Sequence, residues 1–210
     1  MKNTVTETFN IDVPIFAFSH CRDVVAAVSK AGGFGVLGAV GHSPDALEID
    51  LKWIEDEIGE HPYGVDLIVP AKYEGSDEGG LTVHKIADMI PDAHHEYVTE
   101  ILEKYDVPEL AETKSGQFSM KNDGAAPMSA GTAGPQLEIA LAHNPSLVVN
   151  ALGPPPQFMI DQVKEAGRKV GALAGKAQHA ERHVNAGVDL IIAQGYEAGG
   201  HTGEIGSMVL

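Results

Sequence analysis

Six short runs rich in β-branched and apolar residues recur along this chain, most of them separated by segments of helical period. They are Val13–Phe18, Gly35–Val40, Tyr63–Val69, Leu147–Leu152, Lys169–Ala174 and Asp189–Gln194. A run that is apolar at successive positions offers no polar face to water. It therefore predicts a strand covered on both sides, as in a parallel sheet with crossover helices. The alternation predicts an α/β fold of repeated βα units. Between the second and third runs, Ser43 predicts an N-cap with Pro44 at the first helical position. Leu47, Leu51, Ile54 and Ile58 then share one helical face, and Gly59 ends the helix. Met159, Val163 and Ala166 make a second stripe closed by Gly167. Ala177, Ala180 and Val184 make a third, closed by Gly187.

Residues 70–144 break this rhythm. A helix is predicted over Asp92–Tyr105, with Tyr97, Ile101 and Tyr105 on one face, and a Gly-, Ser- and Ala-rich stretch follows over Ser115–Gly134. So long a connection predicts an insertion that covers the mouth of the sheet and supplies one crossover. With 210 residues, 43% of them hydrophobic, the chain can bury one sizeable core, and residues 1–210 are expected to form a single domain.

Charge and cysteine content narrow the setting. Thirty acidic residues against 14 basic ones give a formal charge of −16, a field that repels phosphate backbones and anionic lipid, so nucleic acid is not an expected partner. The acidic residues cluster on predicted helices, Glu48–Glu57 and Glu96–Glu103, where a solvated face explains them. No apolar run approaches the roughly twenty residues of a membrane span. The lone Cys21 cannot form an internal disulfide and no secretory leader precedes the first run, so a cytoplasmic enzyme is expected. Cys21 itself is expected to be buried and inert, and its neighbour His20 gives it no nucleophile geometry. His94 and His95, with Asp92 and Glu96, lack further ligands at metal spacing, so no metal is expected and an exposed helix start is the simpler reading.

The segment richest in chemistry is Ile191-Ile192-Ala193-Gln194-Gly195-Tyr196-Glu197-Ala198-Gly199-Gly200-His201-Thr202-Gly203. A buried strand delivers Gln194 to its C-terminal end. Four glycines then let backbone approach a flat ligand while presenting His201. Glu197 is expected to hydrogen-bond the loop backbone.

This segment resembles the AQG-x-EAGGH-x-G motif of the nitronate monooxygenases, also called 2-nitropropane dioxygenases. Pro14-Ile15-Phe16-Ala17-Phe18 is similar to that family's first strand, whose end runs beside the flavin ring. Gly32–Gly38 resembles its GG-x-G-x-LG, although a helix C-cap leading into a strand also explains Gly32 or Gly33. Gly64-Val65-Asp66-Leu67 is similar to the third strand, where the family usually places an asparagine against the cofactor; a carboxylate there accepts hydrogen bonds but donates one only when protonated. The resemblance implies a (β/α)8 TIM barrel holding FMN without a covalent bond and oxidising an alkyl nitronate, a small-molecule substrate, with molecular oxygen. It implies Ala17, Phe18, Asp66, Gln194, Gly195, Gly199 and Gly200 as cofactor-binding and His201 as catalytic, because an imidazole can accept a proton or, protonated, attract an anionic nitronate.

Two positions depart from the family. Its fourth strand often ends in a histidine-bearing SFHFG, where this chain reads Val149-Asn150-Ala151-Leu152-Gly153, with Asn150 as the remaining polar contact. A lysine found in some relatives at the end of the fifth strand is Leu173 here, with Lys176 three residues later, so no catalytic lysine is assigned. About six of eight βα units are expected, so FMN should bind weakly, and the open strand edges leave a homo-oligomer in prospect. Two alternatives remain at this point: an FMN-dependent enoyl-acyl-carrier-protein reductase, and a non-catalytic fragment.

Overall fold

The computed structural model describes residues 2–69, 81–108 and 129–209. Six strands lie side by side in chain order: β1 (Phe16–Ser19), β2 (Phe34–Gly38), β3 (Tyr63–Leu67), β4 (Leu147–Asn150), β5 (Lys169–Ala174) and β6 (Leu190–Ala193). Each pairs with its neighbours in parallel. Parallel neighbours need a crossover, so the chain must return over the sheet between strands. The helices in chain order are α1 (Thr4–Phe9), α2 (Arg22–Lys30), α3 (Pro44–Ile58), α4 (Val83–Asp88), α5 (Asp92–Lys104), α6 (Ala130–Ala142), α7 (Gln157–Glu165) and α8 (Ala177–Ala186). An all-parallel sheet in consecutive order is the arrangement of a (β/α) barrel, and this sheet is its curled, six-stranded part.

All six predicted strands exist, with shifted ends. β1 begins at Phe16, three residues later than expected, and β2 stops at Gly38, where the chain turns into the loop that leads to α3. Side chains alternate across the pleat and so divide the core in two. On the helix side, Leu37, Val65, Leu67 and Val148 pack against Leu47, Leu51 and Ile54 of α3 and Leu137 of α6. On the inner side, Phe34, Val36, Leu147 and Val149 meet Phe9 of α1. The Phe9 ring stands edge-on to Phe16 and Phe34, at centroid distances of 5.3 and 5.1 Å, and plugs the lower end of the sheet.

The α3 reading holds in detail. Ser43 Oγ accepts from the Ala46 amide, Pro44 opens the helix, and Leu47, Leu51, Ile54 and Ile58 are its buried residues. Within the predicted insertion, α6 is a helix that composition conceals, since Gly131, Gly134 and Pro135 are poor helix formers. Burial of Ala133, Leu137 and Ala140 offsets that propensity. Gln136 then locks α6 to the β2–α3 loop, donating to the carbonyls of Ala39 (3.0 Å) and His42 (2.9 Å).

Three expectations need correction. The α8 face that packs inward is not Ala177, Ala180 and Val184; its buried residue is His183, held by the Leu173 carbonyl at 3.0 Å, and Val184 is exposed. Ala166 lies outside the buried stripe of α7, which is Met159, Ile160 and Val163. The helix predicted over Asp92–Tyr105 forms as α5 but buries none of its residues, and Tyr97 and Tyr105 face solvent. Most of the Gly-, Ser- and Ala-rich stretch falls outside the described residues. Among the described residues, no helix is long and apolar enough to cross a membrane.

Candidate active site

The C-terminal strand ends open onto a cavity of about 980 Å³. Its walls are mainly apolar, from Phe16, Phe18, Val36, Val149, Leu173 and Ile192. Its polar side chains are few: His20 after β1, Asp66 on β3, and Gln194, Glu197, His201 and Ser207 in the segment after β6. This is the composition expected of a small-molecule site, where apolar walls supply contact and a few polar groups set orientation.

Of the residues the sequence pointed to, Phe18, Asp66, Gln194, Gly195, Gly199, Gly200 and His201 all line this one cavity. Ala17 does not, because Phe16 and Phe18 take the inner face of β1 and alternation turns Ala17 to the other side.

The loop after β6 is held in shape by its own bonds. Gln194 Nε2 donates to the His201 carbonyl at 2.8 Å, the Tyr196 amide to Ile205 at 3.0 Å, and the Gly203 amide to Gly195 at 3.3 Å. Glu197 accepts the Ser207 amide at 3.1 Å, and that bond holds its carboxyl below the usual range. Glu197 thus braces the loop, as its sequence position suggested. The glycines divide by role. A Cβ on Gly203 would overlap the Gln194 carbonyl, so this glycine permits the loop to close on itself. At Gly199 and Gly200 a Cβ would meet nothing, and Gly200 has φ +68°, which disfavours larger residues. Those two glycines leave open space beside His201 among the described residues.

His20 is the site residue that sequence reading missed. Its Nδ1 lies 2.8 Å from the Gly38 carbonyl, and a carbonyl only accepts, so Nδ1 carries the proton. In the neutral ring Nε2 is then the acceptor, a tautomer fixed by one backbone contact. The available signal was its position directly after a strand that ends at the cavity. The adjacent Cys21 is exposed rather than buried: it caps α2, and its Sγ lies 3.4 Å from Asp23.

Asp66 lines the cavity, and Asn150 stands on the next strand facing away from it. Asp66 Oδ1 is buried without a hydrogen-bond partner among the described residues, and burial pushes its carboxyl up to about 7. Asn150 does not serve as a ligand contact. It is fully buried, accepting the Val69 amide at 2.8 Å and donating to the Leu152 (3.1 Å) and Gly153 (3.2 Å) carbonyls. Lys176 is engaged with Glu204 at 2.6 Å. No group of three potential metal ligands occurs among the described residues, and His94 and His95 sit at the exposed start of α5.

Residues 2–210 match the sequence model of the family described as nitronate monooxygenase. The chain belongs to the nitronate monooxygenase family. Rv1533 of Mycobacterium tuberculosis, named as a monooxygenase, is 48% identical over 210 residues, which are all of this chain and 55% of that protein. FabK from Thermotoga maritima superposes with a TM-score of 0.66 at 22% identity, covering 100% of this chain and 49% of that one. A nitroalkane oxidase from Streptomyces ansochromogenes superposes with a TM-score of 0.65 at 23% identity, covering 96% and 51%. Both likenesses establish the TIM-barrel fold of this family member. The chain spans about half the length of the curated relatives it matches.

Proposed function

We propose that this chain forms the ring-binding side of an FMN-dependent nitronate monooxygenase. The observation that carries the reading is the apolar cavity at the strand ends, rimmed by the Gln194–Gly203 loop, in a chain that matches the family over residues 2–210. The cavity fits a flavin ring on three counts. Its volume lies near the upper end of the roughly 300–1,000 Å³ typical of ligand sites. Its walls are apolar, and at Gly199 and Gly200 the loop offers backbone beside open space.

When bound, FMN would supply the electron transfer between substrate and oxygen. The chain's own residues supply the setting. Phe18, Val149 and Leu173 exclude water from one face of the ligand. Gln194 holds the loop that presents Gly199 and Gly200 as a backbone surface. His201, exposed at the rim, attracts an anionic nitronate when protonated, and His20 offers Nε2 as a second polar contact across the cavity. The FabK likeness supports the fold and gives no separate support to an enoyl reductase reading.

The test is a flavin fluorescence titration of the purified protein, followed by oxygen uptake with an alkyl nitronate in excess FMN. A parallel assay follows NADPH oxidation with an enoyl thioester. Saturable quenching and nitronate-dependent oxygen uptake are expected. Absence of quenching, or turnover of the thioester in place of the nitronate, overturns the reading.

A further inference from the structure

Most polar groups on the cavity wall already have bonding work within the protein. Gln194 and Glu197 hold the loop, and His20 Nδ1 is spent on Gly38. Asp66 differs, because its buried Oδ1 has no hydrogen-bond partner. Its register partners on the flanking strands are Gly38 on β2 and Val149 on β4, neither of which has a polar side chain to offer. The other titratable groups facing the cavity are His20 on the β1 side and Glu197 and His201 on the β6 side. No lysine or arginine lines the cavity among the described residues.

A carboxylate placed there, with one oxygen buried and no cation or donor beside it among the described residues, carries a desolvation cost. Protonation removes that cost and converts an acceptor-only group into one with an O–H to donate. Burial does push the Asp66 carboxyl up to about 7, so both forms are within reach near neutrality.

We propose that Asp66 is the ligand-reading group of this cavity: held as the neutral acid, it donates a hydrogen bond to an acceptor on the edge of a planar heteroaromatic ring, and the cavity releases that ring as Asp66 ionises. The inference rests on the flavin reading above and adds to it the sense of the hydrogen bond and a dependence on pH. No covalent step is involved. One proton leaves Asp66 for solvent when the ring is released and returns when the ring binds.

The experiment is FMN binding by fluorescence quenching at about pH 6 and about pH 8.5, on the wild-type protein and on Asp66→Asn. The amide of the variant donates at every pH. Wild-type affinity is expected to fall about tenfold or more over this range, against a nearly flat profile for Asp66→Asn. The variant also corrects for titration of the FMN phosphate and of His20 and His201. Parallel profiles for the two proteins overturn the inference while leaving the flavin reading intact; no binding by wild type at either pH overturns both. Should Asp66→Asn fail to fold, calorimetry of the wild type at about pH 8 in two buffers of different ionisation enthalpy serves instead. Uptake of close to one proton per FMN bound is expected, and uptake of none overturns the proposal.

Discussion

Asp66 and Asn150 stand on neighbouring strands, one residue apart in register, since Asp66 pairs with Val149 and Leu67 with Asn150. Asn150 lies on the helix side of the sheet and meets all its hydrogen-bonding needs, joining the ends of β3 and β4 through the Val69 amide and two carbonyls. Asp66 lies one step across the pleat, on the cavity side, with one oxygen buried and unmatched. The two sides of the sheet also differ in packing. Away from the cavity, Gln136 and Tyr63 are paired and large apolar side chains close the space between sheet and helices, although His42 Nδ1, Arg168 Nε and His183 Nδ1 are, like Asp66 Oδ1, buried without a partner among the described residues. On the cavity side, Phe18 is 55% exposed and Gly199 faces open space. Buried polar groups are nearly always satisfied in folded proteins. One left without a partner beside a cavity is the basis on which a ligand contact at Asp66 is proposed.

The largest expected break in this contrast is Leu51→Ala, which empties a fully buried site between α3 and the sheet. A loss of about 3 kcal/mol in a urea melt is expected, against less than about 1 kcal/mol for Phe18→Ala on the cavity wall. Comparable losses for the two would show that the cavity wall is as closely packed as the helix side.

Asn150→Ala comes next, because it strands the Val69 amide. A loss of about 2 kcal/mol is expected. Asp66 follows the opposite logic. Its carboxyl is raised from 3.8 to about 7, so its contribution to stability is fully present below the unfolded value and is lost as pH rises through about 7. Asp66→Asn should therefore flatten the decline of melting temperature over that range, and an unchanged decline would show that Asp66 has no part in it.

The loop glycines sharpen the contrast at the level of binding. Gly203→Ala forces the Gln194 carbonyl aside and should weaken FMN binding about tenfold by displacing the loop, with a change in the near-ultraviolet dichroism of Tyr196. Gly199→Ala meets nothing among the described residues, so it should leave that signal unchanged and weaken FMN alone. Equal FMN binding by Gly199→Ala and wild type would remove Gly199 from the site.

The smallest effect is expected at the lower end of the sheet. His143 lies between Glu55 (2.9 Å) and Glu48 (3.0 Å). Burial works to lower the imidazole value, but the two carboxylates raise it overall. Burial likewise works to raise Glu55, and hydrogen bonds from His143, Asn144 and Tyr63 outweigh it and bring its carboxyl down. The imidazole contribution is complete below the ordinary value of 6.5 and is lost as pH rises through the raised folded value. The Glu55 contribution is complete above 4.5 and is lost as pH falls through the lowered folded value. His143→Gln should narrow the pH–stability profile slightly on the alkaline side. A profile unchanged above pH 6.5 would show that the pair contributes nothing.

Local signals were readable where a residue's neighbours in sequence are also its neighbours in space. The α3 cap and stripe, the six strands and the loop after β6 are of this kind. Reading failed where the partner is remote. The helix α6 owes its stability to burial against α3, about 90 residues earlier, and its own composition argues against it. The apolar face of α5 has the right period and no cover among the described residues, because period says that a stripe exists and not what lies on it. His20 was invisible as a site residue until the carbonyl of Gly38, on the next strand, fixed its ring.

Sequence alone determined the βα rhythm, the family and the loop that carries Gln194, Gly199 and His201, since these depend on periodicity, turn chemistry and a contiguous motif. Tertiary structure alone decided that Asn150 is structural, that Ala17 turns away from the cavity and that Asp66 Oδ1 is buried without a partner among the described residues. The pleat assigns adjacent residues to opposite faces, and only the folded sheet shows which face packs against helices and which lines the cavity.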